Sequence, residues 1–514
     1  MINMVYPSDY ENKTGFDRIR AQVRGKCTTD GGRALLDGEG FSASAGEIAH
    51  RLSLCSELQE ILMLESGFPL QEYTDIGPVA RKIEVAGTFL DIEDMIALRA
   101  GLGAVNEITA FLAAKEEGRY PVLRGLAQGV ESFPEITGHI DTILDRYGKI
   151  KDSASPELYT IRRTIRDREG QVSKRLQAIL SKAQKDGYAD ADAAVSIRDG
   201  RAVIPVSAAN KRKINGFIHD ESATGKTFYI EPVEIVEINN ELKELEYAER
   251  REVVRILTAF TDRIRPDAPG IARAGEYLAC MDMIRAKARW AAENECVKPV
   301  LSEEGTLWLR SARHPLLRQT LAREGKQVVP LDLKLDRGRR MLVISGPNAG
   351  GKSVCLKTVG LLQYMFQCGF PVPVLENSEF PVFDGIFIDI GDEQSIDNDL
   401  STYSSHLLNM KHMLAGAGSG SLVLIDEFGS GTEPVIGGAI AEAILERFVE
   451  TGTYGVITTH YSNIKYFAGS HEGVENGAMM FDVQNIRPLF RLQMGEPGSS
   501  FAVEIARKIG LRRR

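Results

Sequence analysis

The chain has 514 residues, 43% hydrophobic and 26% charged, with a formal net charge of −9. That length holds roughly three or more domains. The acidic balance excludes a global basic field, so any nucleic-acid surface has to be a local patch. Six cysteines, Cys27, Cys55, Cys280, Cys296, Cys355 and Cys368, form no C-x-x-C pair and no zinc-ligand cluster, which points to reduced, buried thiols in a cytoplasmic chain. No run of about 18 apolar residues stands out, so no membrane-spanning helix is expected. The start, MINMVYPSDYENKTGFDRIR, lacks the apolar stretch of a signal peptide. The last residues, ARKIGLRRR, read either as a basic tail or as the edge of a longer chain.

Residues 11 to 150 read mostly as helices, among them 48–66, 92–117 and 139–148, broken by Gly and Pro as in SGFPL and GRYPVL. They are expected to form a helical core over 1–153. Residues 154–187 form a long, charged, amphipathic helical pattern, and residues 233–265 form a second. Between them, 194–232 carries β-branched and aromatic residues in short runs, with turn signals at Asp199-Gly200 and Thr224-Gly225. Two long helices bracketing a small β-rich insert predict a long antiparallel helical arm over 154–265 with a clamp-like module at 194–232. At 1.5 Å per residue such a helix extends roughly 50 Å. Residues 266–303 turn helical again and return to the core. From 304 to 514 short apolar strands alternate with helices, the pattern of an α/β domain.

That last segment holds GPNAGGKS: Gly346, Pro347, Asn348, Ala349, Gly350, Gly351, Lys352 and Ser353. It fits G-x-x-x-x-G-K-[ST], preceded by the strand-like RRMLVIS and followed by a helical VCLKTVGLLQYMFQCG, so the loop sits at a strand-to-helix turn. There, backbone N–H groups and a helix N-terminus can cradle the phosphates of ATP. Lys352 is the expected contact to the β- and γ-phosphates and Ser353 a ligand of Mg²⁺. In SLVLIDEFGSGTEP, Asp426 ends an apolar strand and suits the outer sphere of the Mg²⁺; Glu427 follows as candidate general base. Thr459-His460 ends a third strand, where His460 can sense or polarise the γ-phosphate. Gln394 follows a fourth short strand and can reach the metal or the lytic water. Ser401-Thr402 opens a helix, both as an N-cap and as an anion site. Because the chain's own loop already holds a γ-phosphate, Ser401 is expected to act in trans, on the nucleotide of a second subunit. That predicts a homodimer joined through the ATPase domains.

GPNAGGKS, STYSSH, LIDEFGSGTEP and TTH, in this order and spacing, resemble the ABC-type ATPase domain of the MutS family. DEQSIDNDLSTYSSHL, DEFGSGTEP and the insert IRDGRAVIPV…GFIHDESATGKTFYIEP are more narrowly similar to its second bacterial subfamily, MutS type two, the branch associated with Smr nuclease domains. SARHPLL at 311–317 is similar as well. Val354 departs from the Thr that many relatives carry there. The resemblance implies an ABC-type P-loop ATPase domain on a mostly α-helical core, an arm and clamp that bind nucleic acid, and suppression of homologous recombination on branched or mismatched DNA. The alternative it implies is an ATP-dependent sensor or splitter of stalled or collided ribosomes, binding ribosomal RNA. No counterpart of the mismatch-reading N-terminal domain or of the Smr nuclease region is visible, so nuclease activity is not expected from these residues.

The clamp segment agrees with a nucleic-acid contact. From Arg198 to Lys226 six basic residues face three acidic ones, and Lys211-Arg212-Lys213 is the candidate phosphate-contacting cluster. A solvated turn is the plain alternative. A metabolic P-loop kinase does not need long paired helices. An SMC-like ATPase separates its two nucleotide motifs by hundreds of residues, whereas Lys352 and Asp426 lie 74 apart.

Overall fold

The computed structural model describes residues 4–347, 350–391, 402–482, 484–485 and 487–499. The chain forms two compact units. One gathers Met1–Asp75, Glu107–Gly129 and Glu276–Arg514; the other holds Ile76–Asn106 and Val130–Gly275. The architecture is mixed α/β.

The first unit is built on a seven-stranded sheet. Its order is Met4–Tyr6, Gly385–Asp389, Ser421–Ile425, Tyr454–Thr458, Arg339–Ser345, Gly473–Asp482 and Arg487–Met494. Neighbours pair in parallel except the last two, which form an antiparallel hairpin. Strands 385–389, 421–425 and 454–458 are buried at every position. This is why they read as unbroken apolar runs: helices cover both faces of a parallel sheet. The helix Lys352–Gln367 is likewise almost wholly buried.

Its first strand comes from the opposite end of the chain. Met4–Tyr6 adds in parallel to Gly385–Asp389. The Tyr6 hydroxyl donates to Asn409 Oδ1 at 2.6 Å, and Tyr10 donates to the Gly360 carbonyl at 3.0 Å. Phe16 packs edge-on to Tyr364 and Phe370. A three-residue strand is too short for a periodicity signal, so the reading of 1–153 as helical core does not anticipate it. A second sheet of four short strands, ordered Val300–Leu301, Glu379–Phe380, Leu307–Ala312 and Leu331–Leu335, completes the α/β part.

The helix Ile92–Ala113 bears on the expectation that no membrane-spanning helix is present. It is long and apolar enough to cross a membrane, with a mean hydropathy of 1.3 over its best window. Its Leu98, Leu102, Val105 and Ile108 are completely buried within the protein, which accounts for the apolar stripe as packing surface.

The second unit carries two long helices, Pro156–Lys185 and Val233–Ile264. Ser155 caps the first: its Oγ accepts from Leu158 N at 3.0 Å, with Pro156 at the first helical position. The same hydroxyl donates to Glu252 Oε1 at 2.5 Å. Arg162 pairs with Glu249 and Arg168 with Glu241. Early residues of one helix thus meet late residues of the other, so the pair is antiparallel. The chain between them forms a four-stranded antiparallel sheet, ordered Ser196–Arg198, Arg201–Ser207, Thr227–Pro232 and Gly216–Glu221. Ile204, Val206 and Ile230 of this sheet join Leu176 and Leu180 of the first helix and Ile235 of the second in one buried cluster.

Candidate nucleotide site

Four parallel strands end side by side, and each delivers a polar residue or a turn at its C-terminal edge. The ladder continues past the strands: Thr459 N donates to Ile344 O at 3.1 Å, Phe428 N to Thr458 O at 2.8 Å and Asp426 N to Asp389 O at 2.9 Å. The glycine-rich turn leaves the interior strand Arg339–Ser345 here. Gly346 has φ +139° and its Cα faces Met479, where a Cβ would lie 3.1 Å from the Met479 Cβ. Gly351 has φ +91° and serves as N-cap of the helix from Lys352. Both positions favour glycine on backbone grounds. Gly350 N closes the turn onto Pro347 O at 2.9 Å. Asn348 and Ala349 lie outside the described residues, as do Gln394 and Ser401.

Lys352 is 3% exposed. Its Nζ donates to the Gly346 carbonyl at 2.9 Å and lies 3.2 Å from His460 Nε2. Burial lowers the pKa of this ammonium, against the pull of Asp426 and Glu427, which raise it. Desolvation, and next the Lys352 charge, push the His460 imidazole below its ordinary value. A neutral imidazole can accept from the lysine, so the sequence-predicted Lys352 and His460 are in direct contact.

The two carboxylates are organised by a residue whose role the sequence reading missed. Thr458 Oγ1 donates to Asp426 Oδ1 at 2.5 Å and accepts from Glu427 N at 2.8 Å. One hydroxyl thus orients Asp426 and fixes the backbone at Glu427, which has φ +48°, a conformation uncommon for a non-glycine residue. Glu427 projects into solvent and Asp426 is half-buried. Ser353, in the first turn of its helix, is exposed. A hydroxyl and a carboxylate are hard oxygen donors, and few protein ligands is the usual arrangement for Mg²⁺ beside a polyphosphate. The residues present therefore fit that ion. Among the described residues no group of three or more His, Cys, Asp or Glu side chains forms a closed metal cage.

Beside the loop opens a mostly apolar cavity of about 340 Å³, lined by His314, Leu317, Val354, Thr358, Met479 and Phe490 among others. Phe490, half exposed with φ +54°, stands against Gly351, where a Cβ would come within 3.2 Å of its ring. His314 caps the helix Pro315–Arg323, its Nδ1 accepting from Leu317 N at 3.4 Å. Burial, then the Lys357 and Arg18 charges, lower its pKa to about 4, so it is neutral at pH 7. Motif spacing points to the phosphates only. Residues 314, 354 and 490 come together through three separate elements, and no local pattern links them.

The Lys211-Arg212-Lys213 cluster belongs to the other unit. Arg212 and Lys213 are exposed, and the Lys211 ammonium lies 4.4 Å above the Phe228 ring. Two of the basic residues counted with them are engaged internally. Arg201 binds Glu231, a 1%-exposed carboxylate that also takes His219 and Asn239. Arg198 pairs with Asp220 and stacks on Tyr229.

A strand–glycine turn–helix inside a mostly parallel sheet, with a buried lysine and a strand-end Asp-Glu alongside, defines a P-loop nucleotide-binding domain. Residues 342–514 match the family described as MutS domain V. The chain is 37% identical over 497 residues to endonuclease MutS2 of Alkaliphilus oremlandii, covering 96% of this chain and 62% of that protein. It is 38% identical over 509 residues to endonuclease MutS2 of Thermomicrobium roseum, covering 96% and 63%. With endonuclease MutS2 of Pelotomaculum thermopropionicum the figures are 40% over 456 residues, 89% and 57%. Over nearly its whole length the chain is similar to MutS2 proteins, and its residues 342–514 to MutS domain V. It spans about three fifths of the length of these curated relatives.

Proposed function

We propose that this chain is an ATP-hydrolysing nucleic-acid clamp of the MutS type. The observation that carries the reading is the joint geometry of Lys352, His460, Asp426, Glu427 and Thr458 at the edge of one parallel sheet. In it, the loop N–H groups and Lys352 hold the ATP phosphates, and the base lies in the cavity between His314, Val354 and Phe490. Ser353 and Asp426 hold Mg²⁺, which supplies charge neutralisation on the phosphates when bound. Glu427, exposed at the strand end, takes the proton of the attacking water. His460 keeps Lys352 directed at the phosphates and stands ready to donate to the γ-phosphate. Lys352 is held by Gly346 and His460, and Asp426 by Thr458, so little reorganisation of these two is needed at the moment of reaction.

Two such domains pair as a homodimer with nucleotide between them. Val435 and Ile436 support this: they follow the carboxylate loop and are 76% and 56% exposed, an apolar edge that suits a covered surface. Gln394 and Ser401 (in trans) remain expected contributors. The long helix pair with its antiparallel sheet is the arm and clamp, and Lys211, Arg212 and Lys213 contact the phosphate backbone of DNA, branched or mismatched. Six free cysteines, five of them buried, fit a reducing, cytoplasmic setting.

The test is ATP turnover by the chain with and without a four-way DNA junction, alongside direct junction binding. The reading predicts Mg²⁺-dependent turnover that changes when junction is added, and binding that weakens steeply with salt. Turnover indifferent to every nucleic acid offered, ribosomes included, sinks the clamp reading. Turnover responding to ribosomes alone transfers it to ribosomal RNA.

A further inference from the structure

The two long helices of the second unit carry opposite charge. Pro156–Lys185 holds eight Lys and Arg against three Asp and Glu; Val233–Ile264 holds five against eight. Part of this is consumed where they face each other, by Arg162 with Glu249 and Arg168 with Glu241. Arg166 is held by Asp152, and Arg175 donates to the Glu234 carbonyl at 3.3 Å.

Five cations of the first helix make no ion pair among the described residues; of these Arg163, Lys174 and Lys185, all exposed, share one face, while Arg175 and Lys182 lie about 100° or more around the helix from Arg163. The three on the shared face are spaced by eleven residues. Eleven residues are three helical turns with about 20° of drift, so the three side chains lie on one line roughly 33 Å long. Asp167 is the acid on the same side. At its far end the line meets the basic turn of the sheet. Asn210 Nδ2 donates to the Gly187 carbonyl at 3.2 Å, and Ser207 N donates to Tyr188 O at 2.9 Å. Lys211, Arg212 and Lys213 therefore follow directly on the end of this helix. Along the same stretch the second helix exposes Glu234, Glu237, Glu241 and Glu244.

We infer that the first long helix is the nucleic-acid-bearing side of the pair: a phosphodiester backbone lies along Arg163, Lys174 and Lys185, continues onto Lys211–Lys213, and the acidic second helix faces away from it. The line is about as long as one turn of a B-form duplex, 34–36 Å. Its members are long, flexible point charges. They give sequence-independent, salt-sensitive contact and orient the polymer relative to the helix pair.

This inference rests on the nucleic-acid reading above, and the experiment separates the two. The probe is a DNA duplex of about 30 base pairs, roughly three turns, bound to the full chain over a salt series. Arg163→Gln/Lys174→Gln/Lys185→Gln is compared with wild type and with Arg250→Gln/Arg251→Gln on the second helix. Expected for the triple variant is a log K against log salt slope shallower by about 2.7, at about 0.9 per lost phosphate contact, with weaker binding at low salt. The second-helix variant keeps the wild-type slope. A circular dichroism melt checks the fold; if the triple variant melts early, Lys174→Gln alone is expected to reduce the slope by about 0.9. A slope equal to wild type, or an equal loss in the second-helix variant, overturns the assignment of sides. A wild-type chain that does not bind the duplex at all overturns the clamp reading itself.

Discussion

The strand-end site and the long helix pair use polar residues in opposite ways. At the site, a handful of groups hold one another: Thr458 serves both Asp426 and Glu427, and Lys352 touches both Gly346 and His460. On the helix pair, cations such as Arg163, Lys174 and Lys185 make no ion pair among the described residues. The first arrangement concentrates function in single atoms, so one substitution removes it. The second spreads function over many weak, screened charges, so a single substitution trims it.

That contrast is broken first at Lys352. Lys352→Ala removes a charge-assisted contact worth about 1.5–3 kcal/mol, and ATP affinity should fall about 10- to 100-fold in a titration. Unchanged affinity removes the phosphate-loop claim. Thr458→Val keeps the shape but deletes the shared hydroxyl. Leaving Glu427 N with only its 3.2 Å bond to Asp426 Oδ1, and Asp426 without the hydroxyl, costs about 1–3 kcal/mol, read as roughly a tenfold fall in turnover with ATP affinity nearly kept. Equal loss of binding and turnover would make Thr458 a folding residue only.

On the other region, neutralising Lys211, Arg212 and Lys213 should flatten the salt dependence of duplex binding by about 2–3 in slope, without altering turnover in the absence of nucleic acid. A change in that basal turnover contradicts the division of labour. The smallest effect is at His314. Its pKa of about 4 lies below the ordinary 6.5. As pH falls from 6.5 towards 4 the unfolded chain takes up a proton that the fold refuses. Stability is therefore full above pH 6.5 and declines through that window, by about 3 kcal/mol at most. His314→Asn keeps an N-cap and should flatten that acid limb in unfolding experiments at pH 4 to 7.

The same contrast explains what was legible in the sequence. Gly346–Ser353, Asp426, Glu427 and His460 are short motifs at strand ends, and the sheet that aligns them reads as apolar runs. The two long helices and the β-rich insert follow from periodicity and turn residues, within a few residues of their observed limits. Three things were hidden. Met4–Tyr6 is a strand only because Gly385–Asp389 accepts it, and three residues carry no period. Thr458 looks like one more strand residue until its hydroxyl is placed between two acids. The cavity of His314, Val354 and Phe490 is assembled from distant segments. The local charge count also overstated the clamp patch, because Arg201 and Arg198 are engaged by Glu231 and Asp220.

The most direct test of the central claim, ATP hydrolysis driven from this sheet edge, is single-turnover hydrolysis by Glu427→Gln measured beside its affinity for Mg²⁺-ATP. The account predicts affinity within a few-fold of wild type and a hydrolysis rate lowered about 100-fold or more, the usual contribution of a general base. Hydrolysis at the wild-type rate would contradict it.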